Sequence, residues 1–260
     1  MLLPVSGRDA VVLELLTDRL SEDDPGGVLG LYLYGSSVSG GLRPDSDLDL
    51  LLVTRRSLSA VERRGLLELL LAHSGRRATV RPGRPLEVTS LVRDDVVPWR
   101  HPPVRDLQYG EWLRDSFGSG ALPPREVDPD VAVLLTTVLE HSRPLLGPEA
   151  ARLLDPVPPS DLRRAMHDVL PSLLGDLDGD ERNVLLTLAR MVLTVETGRI
   201  VAKDEAARVV LPGLGEPSRT VLDLARRAYR GEVADDWTAL RSEVRTTAAV
   251  LAQQVRAGRA

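Results

Sequence analysis

The first hundred residues combine two patterns of apolar and polar positions. Residues 8–20 carry valine and leucine near helical spacing, which predicts an amphipathic helix. Residues 28–35, 48–53 and 85–92 are short apolar runs that predict strands, and the middle run is apolar enough to be buried on both faces. A leucine-rich helix is predicted at 59–73. This order of elements indicates an α/β beginning.

The pattern then becomes helical. Further helices are predicted at 105–117, 128–142 and 148–154, and, after the proline-rich stretch at 155–160, at 160–173, 181–197, 203–210, 217–230 and 235–257. Gly198 is placed to cap the helix at 181–197. We therefore expect two domains, an α/β (α+β) domain at 1–157 and an all-α helical bundle at 158–260.

Composition narrows the class of protein. Of the 260 residues 43% are hydrophobic and 27% charged, which is typical of soluble globular chains. The longest apolar runs are short and contain Asp49 or Glu68, so no membrane span is predicted, and no secretion signal is recognisable. We expect a cytoplasmic protein. The absence of cysteine excludes disulfides and thiolate chemistry, and the net charge of −5 disfavours a nucleic-acid partner.

Lysine is almost absent from this chain. Lys203 is the single lysine among 33 basic residues, and Asn183 and Ile200 are also the single residues of their types. Arginine evidently serves wherever a general positive charge is sufficient. Because a compact ammonium and a planar guanidinium bind phosphate differently, Lys203 is a candidate phosphate ligand. Chance retention of one surface lysine explains the composition equally well.

The segment 31–53 joins a glycine-serine turn to two closely spaced acids. Gly41 and Leu42 stand where a Walker loop requires Lys and Ser or Thr, so that motif fails, and the dinucleotide fingerprint fails as well. Gly35 and Ser36 still allow a phosphate to approach the backbone closely.

The acids in this segment indicate a metal site. Asp47 and Asp49 are two apart at the start of a buried strand, so both side chains are expected on one face. Two neighbouring carboxylates repel each other unless a cation compensates, and Mg²⁺ prefers such oxygen ligands. Glu87, between two apolar neighbours on the next strand, is the candidate third carboxylate. A solvated acidic hairpin is the alternative for an isolated pair.

Together, Gly35-Ser36, the Asp47-x-Asp49 pair and Glu87 resemble the polymerase-β-like nucleotidyltransferase superfamily. The chain is more closely similar to the streptomycin/spectinomycin adenylyltransferases, the aminoglycoside (3'')(9) adenylyltransferase family. The similar segments are RPLEVTSLVRDDVVPWRHPPVRDLQYGEW (84–112), DVAVLL (130–135), LLDPVP (153–158), GDERNVLLTLAR (179–190) and TGRIVAKDEAA (197–207). The resemblance implies a nucleotidyltransferase domain with a mixed sheet, followed by a helical domain that contributes to binding substrate and ATP.

The resemblance also assigns roles to individual residues. It implies that Asp47, Asp49 and Glu87 hold magnesium, as two ions, and that Glu87 is the general base. The residues implied to contact ATP are Ser36, Ser46, Asp130, Arg190, Lys203 and Tyr229. For Asp130, an acid favoured at a helix N-terminus is an adequate structural explanation.

Four further residues are implied in drug binding. Trp112 and Asp176 match positions used for streptomycin, and Asp180 and Asn183 match positions that line the aminoglycoside site. For Asp178 we favour the structural explanation of an acid near a helix N-terminus. Residues 171–174 and Asn183 depart from relatives that carry tryptophan and histidine there. We expect these departures to tune drug preference without affecting the metal site.

The function expected from this resemblance is transfer of AMP from MgATP to a hydroxyl of streptomycin (3'') and spectinomycin (9), with release of pyrophosphate and antibiotic resistance. Neither domain alone is expected to be active. A monomer acting on small molecules, without nucleic acid or membrane partners, is expected. The alternatives are a nucleotidyltransferase with a protein or RNA acceptor, and an inactive nucleotide-binding regulatory module.

Overall fold

A computed structural model describes residue 5 and residues 7–39, 41–75 and 83–258. The chain divides into two compact units, Met1–Pro156 and Val157–Ala260. The domain assignment from the sequence, with its boundary after residue 157, stays a prediction. Across the described ranges, no helix is long and apolar enough to cross a membrane.

The first unit contains a mixed sheet, as predicted. Its strands are, in chain order, β1 (Val28–Tyr34), β2 (Leu48–Thr54), β3 (Leu86–Val92), β4 (Val104–Arg105), β5 (Leu107–Tyr109), β6 (Glu126–Val127) and β7 (Ser142–Leu146). Five of them form one sheet in the order β5-β3-β2-β1-β7, and β4 pairs with β6 in a separate ladder. Strands β2 and β3 are parallel, and the other neighbours in the large sheet are antiparallel.

Two long helices build the core of this unit against the sheet. The helices of the first unit are α1 (Arg8–Asp23), α2 (Ala60–His73), α3 (Arg93–Val96), α4 (Arg114–Gly118) and α5 (Val131–Glu140). Helix α2 begins with a capping box, in which Ser59 and Glu62 each accept the other's backbone N–H. Buried side chains of α1 and α2 form one cluster with Leu48 and Leu50 of β2. Because successive strand residues face opposite sides, the residue between them, Asp49, faces away from this core.

The helix predicted at 105–117 is wrong. The chain there forms two short strands, one 3-10 turn and the five-residue α4. Leu107 and Tyr109 are fully buried while β5 pairs with β3, so the apolar spacing belongs to a strand. Asp106, which is completely buried, accepts hydrogen bonds from Arg63 Nη2 (2.6 Å) and the Leu58 N–H (3.1 Å). This buried ion pair fixes the chain between β4 and β5.

The helices predicted at 128–142 and 148–154 are also partly wrong. Helix α5 ends at Glu140, and β7 follows it at one edge of the sheet. An edge strand tolerates Pro144, which has no N–H to donate. Residues 148–154 contain a single 3-10 turn, Ala150–Arg152. In both places pairing or packing with distant residues decided the structure.

The second unit is the helical bundle that the sequence predicts. Its helices are α6 (Pro159–Gly175), α7 (Glu181–Thr197), α8 (Lys203–Val210), α9 (Ser218–Tyr229) and α10 (Arg241–Ala257). Helix α7 packs against all four others and is the most buried of them. Gly198 ends α7 in the left-handed region, with φ 72°, as predicted. Helix α10 begins at Arg241 rather than at residue 235, because Asp236 accepts the Thr238 N–H in a turn.

Candidate active site

A row of side chains crosses three strands of the first unit. Asp49 on β2 is in register with Glu87 on β3 and with Tyr34 on β1. Registered residues on neighbouring strands lie on the same face, about 5 Å apart. Asp49 and Glu87 are half-buried, between fully buried neighbours that face the core. The structure therefore brings together two of the three predicted metal ligands on a rigid support.

The turn that follows β1 lies directly against Asp49. Gly35 has φ 70°, and a β-carbon added to it would lie 2.0 Å from Asp49 Oδ2. A residue with a side chain would both strain the backbone and displace the carboxylate. Ser36 is half-buried in this turn, whereas Ser37 is buried and donates its hydroxyl to the Tyr34 carbonyl (2.9 Å). Gly35 thus sets the position of the acid as well as the path of the turn.

Tyr34 is a member of the site that the sequence analysis missed. Burial raises the pKa of its phenol well above the usual range, and the carboxylates of Asp49, Glu87 and Asp130 raise the pKa further. A hydrogen bond with Thr89 opposes this effect. The phenol therefore stays neutral beside three acids. Because the Asp130 carboxylate acts on this phenol, Asp130, at the start of α5, lies near the row of site residues.

The loop before β2 is held by Arg84, a residue far from it in the sequence. The Ser46 hydroxyl accepts the Arg43 N–H (2.9 Å), and Ser46 is 6% exposed. Arg84 Nη1 donates to the carbonyls of Arg43 (2.7 Å) and Ser46 (2.8 Å). Asp47 follows at once, half-buried and one residue before β2 begins. Arg84 therefore supports this loop, a role that the sequence analysis did not assign to it.

The arrangement of acids fits a cation that shares its ligands with a nucleotide. Considering only the part of the chain that the structure describes, no group of three or more His, Asp or Glu side chains is spaced to hold a metal ion unaided. Mg²⁺ usually takes one or two carboxylates and completes its shell with phosphates and water. Asp49 and Glu87 could supply that pair, and Asp47 is two residues from Asp49. Their mutual repulsion is the physical reason for a cation to bind there.

Trp112 forms an exposed aromatic surface on the first unit. The residue is 60% exposed, and its ring covers Gly110, where an added β-carbon would lie 2.3 Å from Cη2. Beside it, the Glu111 carboxylate accepts hydrogen bonds from Tyr109 (2.8 Å) and from Arg114 (2.7 and 2.8 Å). Burial raises the pKa of Glu111, but these hydrogen bonds and one from a serine outweigh it and lower the pKa overall. The turn that carries Trp112 is therefore firmly held.

In the second unit, three of the predicted residues form a chain of hydrogen bonds. Asn183 Nδ2 donates to Asp180 Oδ2 at 2.8 Å. Lys203 Nζ, at the start of α8, donates to Asn183 Oδ1 on α7. The single lysine and the single asparagine of the sequence are therefore in direct contact.

The remaining predicted nucleotide contacts of this unit lie on helices that pack around the same region. Arg190 is half-buried on α7, seven residues and so about 10 Å along the axis from Asn183, on the same side of the helix. Tyr229 ends α9. Next to it, Arg230 Nη1 lies 3.8 Å from Asp204 Oδ2, and Asp204 directly follows Lys203. The end of α9 and the start of α8 are thereby neighbours.

The acids between α6 and α7 behave differently from one another. Asp176 is exposed and ends α6, with its backbone N–H donated to the last carbonyls of that helix. Asp178 is exposed as well, and its carboxylate accepts from Arg245 Nη2 at 2.9 Å. This ion pair with α10 gives Asp178 a structural contact other than the helix N-terminus that the sequence suggested. Asp176 stays a predicted drug contact. It belongs to the second unit, whereas Trp112 belongs to the first.

Comparison with known proteins gives this geometry a family. A family model described as Nucleotidyltransferase domain matches residues 13–100, and one described as Aminoglycoside adenylyltransferase, C-terminal domain, matches residues 152–254. A spectinomycin 9-adenylyltransferase of Staphylococcus aureus is 47% identical over 218 residues, covering 84% of each chain. An aminoglycoside (3'')(9) adenylyltransferase of Escherichia coli is 42% identical over 238 residues, covering 88% of this chain and 90% of that one.

A solved structure agrees with these sequence relatives. The crystal structure of a spectinomycin adenyltransferase from Enterococcus faecialis with ATP and spectinomycin superposes with a TM-score of 0.90, at 31% identity. The match covers 95% of this chain and 99% of that one. With the paired acids of β2 and β3, the glycine turn beside them and relatives that match over most of their length, this chain belongs to the aminoglycoside and spectinomycin adenylyltransferases, which are nucleotidyltransferase enzymes.

Proposed function

We propose that this protein transfers AMP from MgATP to the 9-hydroxyl of spectinomycin and the 3''-hydroxyl of streptomycin, and so gives resistance to both drugs. The observation that carries the proposal is the register pair Asp49–Glu87 beside the Gly35 turn. In the proposed mechanism, this pair supplies both a metal site and a base. Streptomycin and spectinomycin are cationic, which suits a chain of net charge −5.

The proposed reaction is a single displacement at the α-phosphorus of ATP. The drug hydroxyl oxygen forms a bond to this phosphorus while the bond to the bridging oxygen breaks, and pyrophosphate leaves. Glu87 accepts the hydroxyl proton as the drug oxygen attacks. The drug oxygen and the phosphorus must be held in line, which is the task of the surrounding residues.

The metal and phosphate contacts are divided among the predicted residues. We propose that Asp47, Asp49 and Glu87 hold two Mg²⁺ ions, which when bound would polarise the attacking hydroxyl and neutralise charge on the pyrophosphate. The proposed ATP contacts are Ser36, Ser46, Asp130, Arg190, Lys203 and Tyr229. Ser46 is held for this by its loop, and Lys203 by Asn183.

The proposed drug contacts are Trp112, Asp176, Asp180 and Asn183. An exposed indole on a firmly held turn offers a face to a guanidinium or ammonium group. Asp176 and Asp180 are exposed carboxylates, the groups that pair with such cations. Streptomycin carries guanidinium groups and spectinomycin does not, so Trp112 and Asp176 are assigned to streptomycin.

A coupled assay of pyrophosphate release from ATP tests the proposal. The acceptor in this assay is spectinomycin, streptomycin or kanamycin. We expect Mg²⁺-dependent turnover with the first two drugs, and a loss of about 10²-fold to 10⁴-fold in kcat for Glu87→Gln. If Glu87→Gln still binds ATP, its loss of turnover is due to the missing base and not to unfolding. Absence of turnover with both drugs would refute the proposal, and label transfer from ATP to protein or RNA would favour the other acceptors.

We also propose that the protein acts as a monomer in the cytoplasm, where ATP is available, and binds neither nucleic acid nor membranes. The negative net charge supports the first exclusion, because phosphate backbones require a basic surface. Light scattering of the purified protein, with and without ATP, measures the mass. A dimer in both conditions would contradict the monomer.

A further inference from the structure

Asn183 occupies an unusual position between two charged groups. Its amide nitrogen donates to the Asp180 carboxylate at 2.8 Å, and its amide oxygen accepts from the Lys203 ammonium. Asp180 directly precedes α7, Asn183 lies in the first turn of that helix, and Lys203 begins α8. The amide therefore ties the N-terminal ends of two packed helices together.

The chemistry of the two neighbours suits an amide at this position. An ionised carboxylate only accepts hydrogen bonds and an ammonium only donates them. A side chain that joins them without adding charge must donate at one end and accept at the other, which a carboxamide does. The same two neighbours also fix which end of the amide is oxygen and which is nitrogen.

The composition of the chain supports a specific role for this contact. Arginine accounts for every basic residue except Lys203, and asparagine occurs nowhere but at 183. Two of the residue types that the sequence uses only once are thus found on opposite ends of one hydrogen bond. If this contact served only to hold the two helices together, residue types that are common in the chain could supply it equally well.

We infer that Asn183 is a positioning residue for Lys203, and that Asp180 acts on Lys203 through it. This inference rests on the proposed function of Lys203 as a ligand of the ATP phosphates. An ammonium has three donors, so it can hold the Asn183 oxygen and a phosphate oxygen together. The amide limits the conformations of a long, flexible side chain before the nucleotide arrives, which reduces the entropy lost on binding.

The assignment differs from a simple drug contact in what it predicts. If Asn183 acts only on the drug, its removal changes drug affinity and leaves nucleotide affinity unchanged. If Asn183 positions Lys203, its removal weakens nucleotide binding in the absence of any drug. Asp180→Ala should then weaken nucleotide binding as well, although by less, because Asn183 still contacts Lys203.

The test is a double-mutant cycle measured with a non-hydrolysable ATP analogue and Mg²⁺ by calorimetry, without drug. We expect Asn183→Ala to weaken analogue binding roughly tenfold in the wild-type background, as for loss of one hydrogen bond to a charged group. In the Lys203→Ala background the same change should have an effect of less than about twofold. Asn183→Gln, which keeps the amide, should recover part of the loss.

Two outcomes would overturn the inference while the proposed function stands. Equal effects of Asn183→Ala in both backgrounds would show that the residue acts independently of Lys203, and unchanged analogue binding by Asn183→Ala would show that it does not act on the nucleotide. Far-ultraviolet circular dichroism confirms that each variant is folded before it is titrated. Failure of the wild-type protein to bind the analogue would instead reject the proposed function, and the inference with it.

Discussion

Replacing Gly35 by alanine tests whether the turn after β1 positions Asp49, the acid proposed to bind metal. The backbone at Gly35 has φ 70°, and the added methyl group would lie 2.0 Å from Asp49 Oδ2 and 3.0 Å from its Cγ. Because ordinary carbon–oxygen contacts are near 3.4 Å, the carboxylate must move by more than about 1 Å. The other side of Asp49 is occupied by the registered residue Glu87.

This substitution should affect both stability and activity, and the size of each effect can be estimated separately. A left-handed conformation at an alanine costs about 1 kcal/mol in stability. A displacement of about 1 Å at a catalytic group lowers kcat on the order of 10²-fold. We therefore expect Gly35→Ala to be folded and slightly less stable, but nearly inactive.

Gly198→Ala is the matched control. Gly198 has φ 72°, almost the same as Gly35, but nothing lies within 4 Å of an added β-carbon. It should lose a similar amount of stability and keep its kcat. Thermal unfolding measures the first quantity, and pyrophosphate release with spectinomycin measures the second. A kcat for Gly35→Ala within threefold of wild type, or equal losses in both variants, would refute the reasoning.

Three further substitutions test other parts of the first unit. Asp106→Ala should reduce the free energy of unfolding by about 3–5 kcal/mol in urea titrations, because it leaves the Arg63 guanidinium buried without its carboxylate; a loss below 1 kcal/mol would contradict this. Glu111 has its pKa lowered from an ordinary value of 4.5, so it stabilises the fold above that pH and loses this effect as the pH falls. Glu111→Gln should therefore be less stable than wild type at pH 7 and approach it near pH 3, as measured by urea unfolding at both values; a constant difference would refute the assignment. Gly110→Ala should displace the Trp112 ring and raise the KM for streptomycin several-fold while that for spectinomycin is unchanged, and equal changes would reject the role of Trp112.

Much of the fold was accessible from local pattern. The long helices and the first three strands were predicted because each has a strong internal periodicity or a continuous apolar run. The segment at 105–117 was assigned wrongly because the strand-like spacing of Leu107 and Tyr109 covers only three residues, too few for the pattern alone to exclude a helix. The strand at 142–146 was missed because Pro144 is unfavourable in a strand that is not at an edge.

The sequence by itself determined which residue types are available for the reaction. Asp47, Asp49 and Glu87 were identified because acids interrupt apolar runs, and Lys203 because it is the single lysine. Such signals are local, or they lie in composition, and need no knowledge of contacts. They indicate what chemistry is possible, but they do not indicate how the reacting groups are held.

Tertiary structure alone decided how these groups are supported. The sequence by itself did not indicate Tyr34 beside the acids, the hydrogen bonds from Arg84 to the loop before β2, or the link that Asn183 makes between Asp180 and Lys203. Each depends on strand register or helix packing that joins residues far apart in the chain. Because the energy of a buried polar group depends on which partners surround it, the roles of such residues emerge only when the chain is folded.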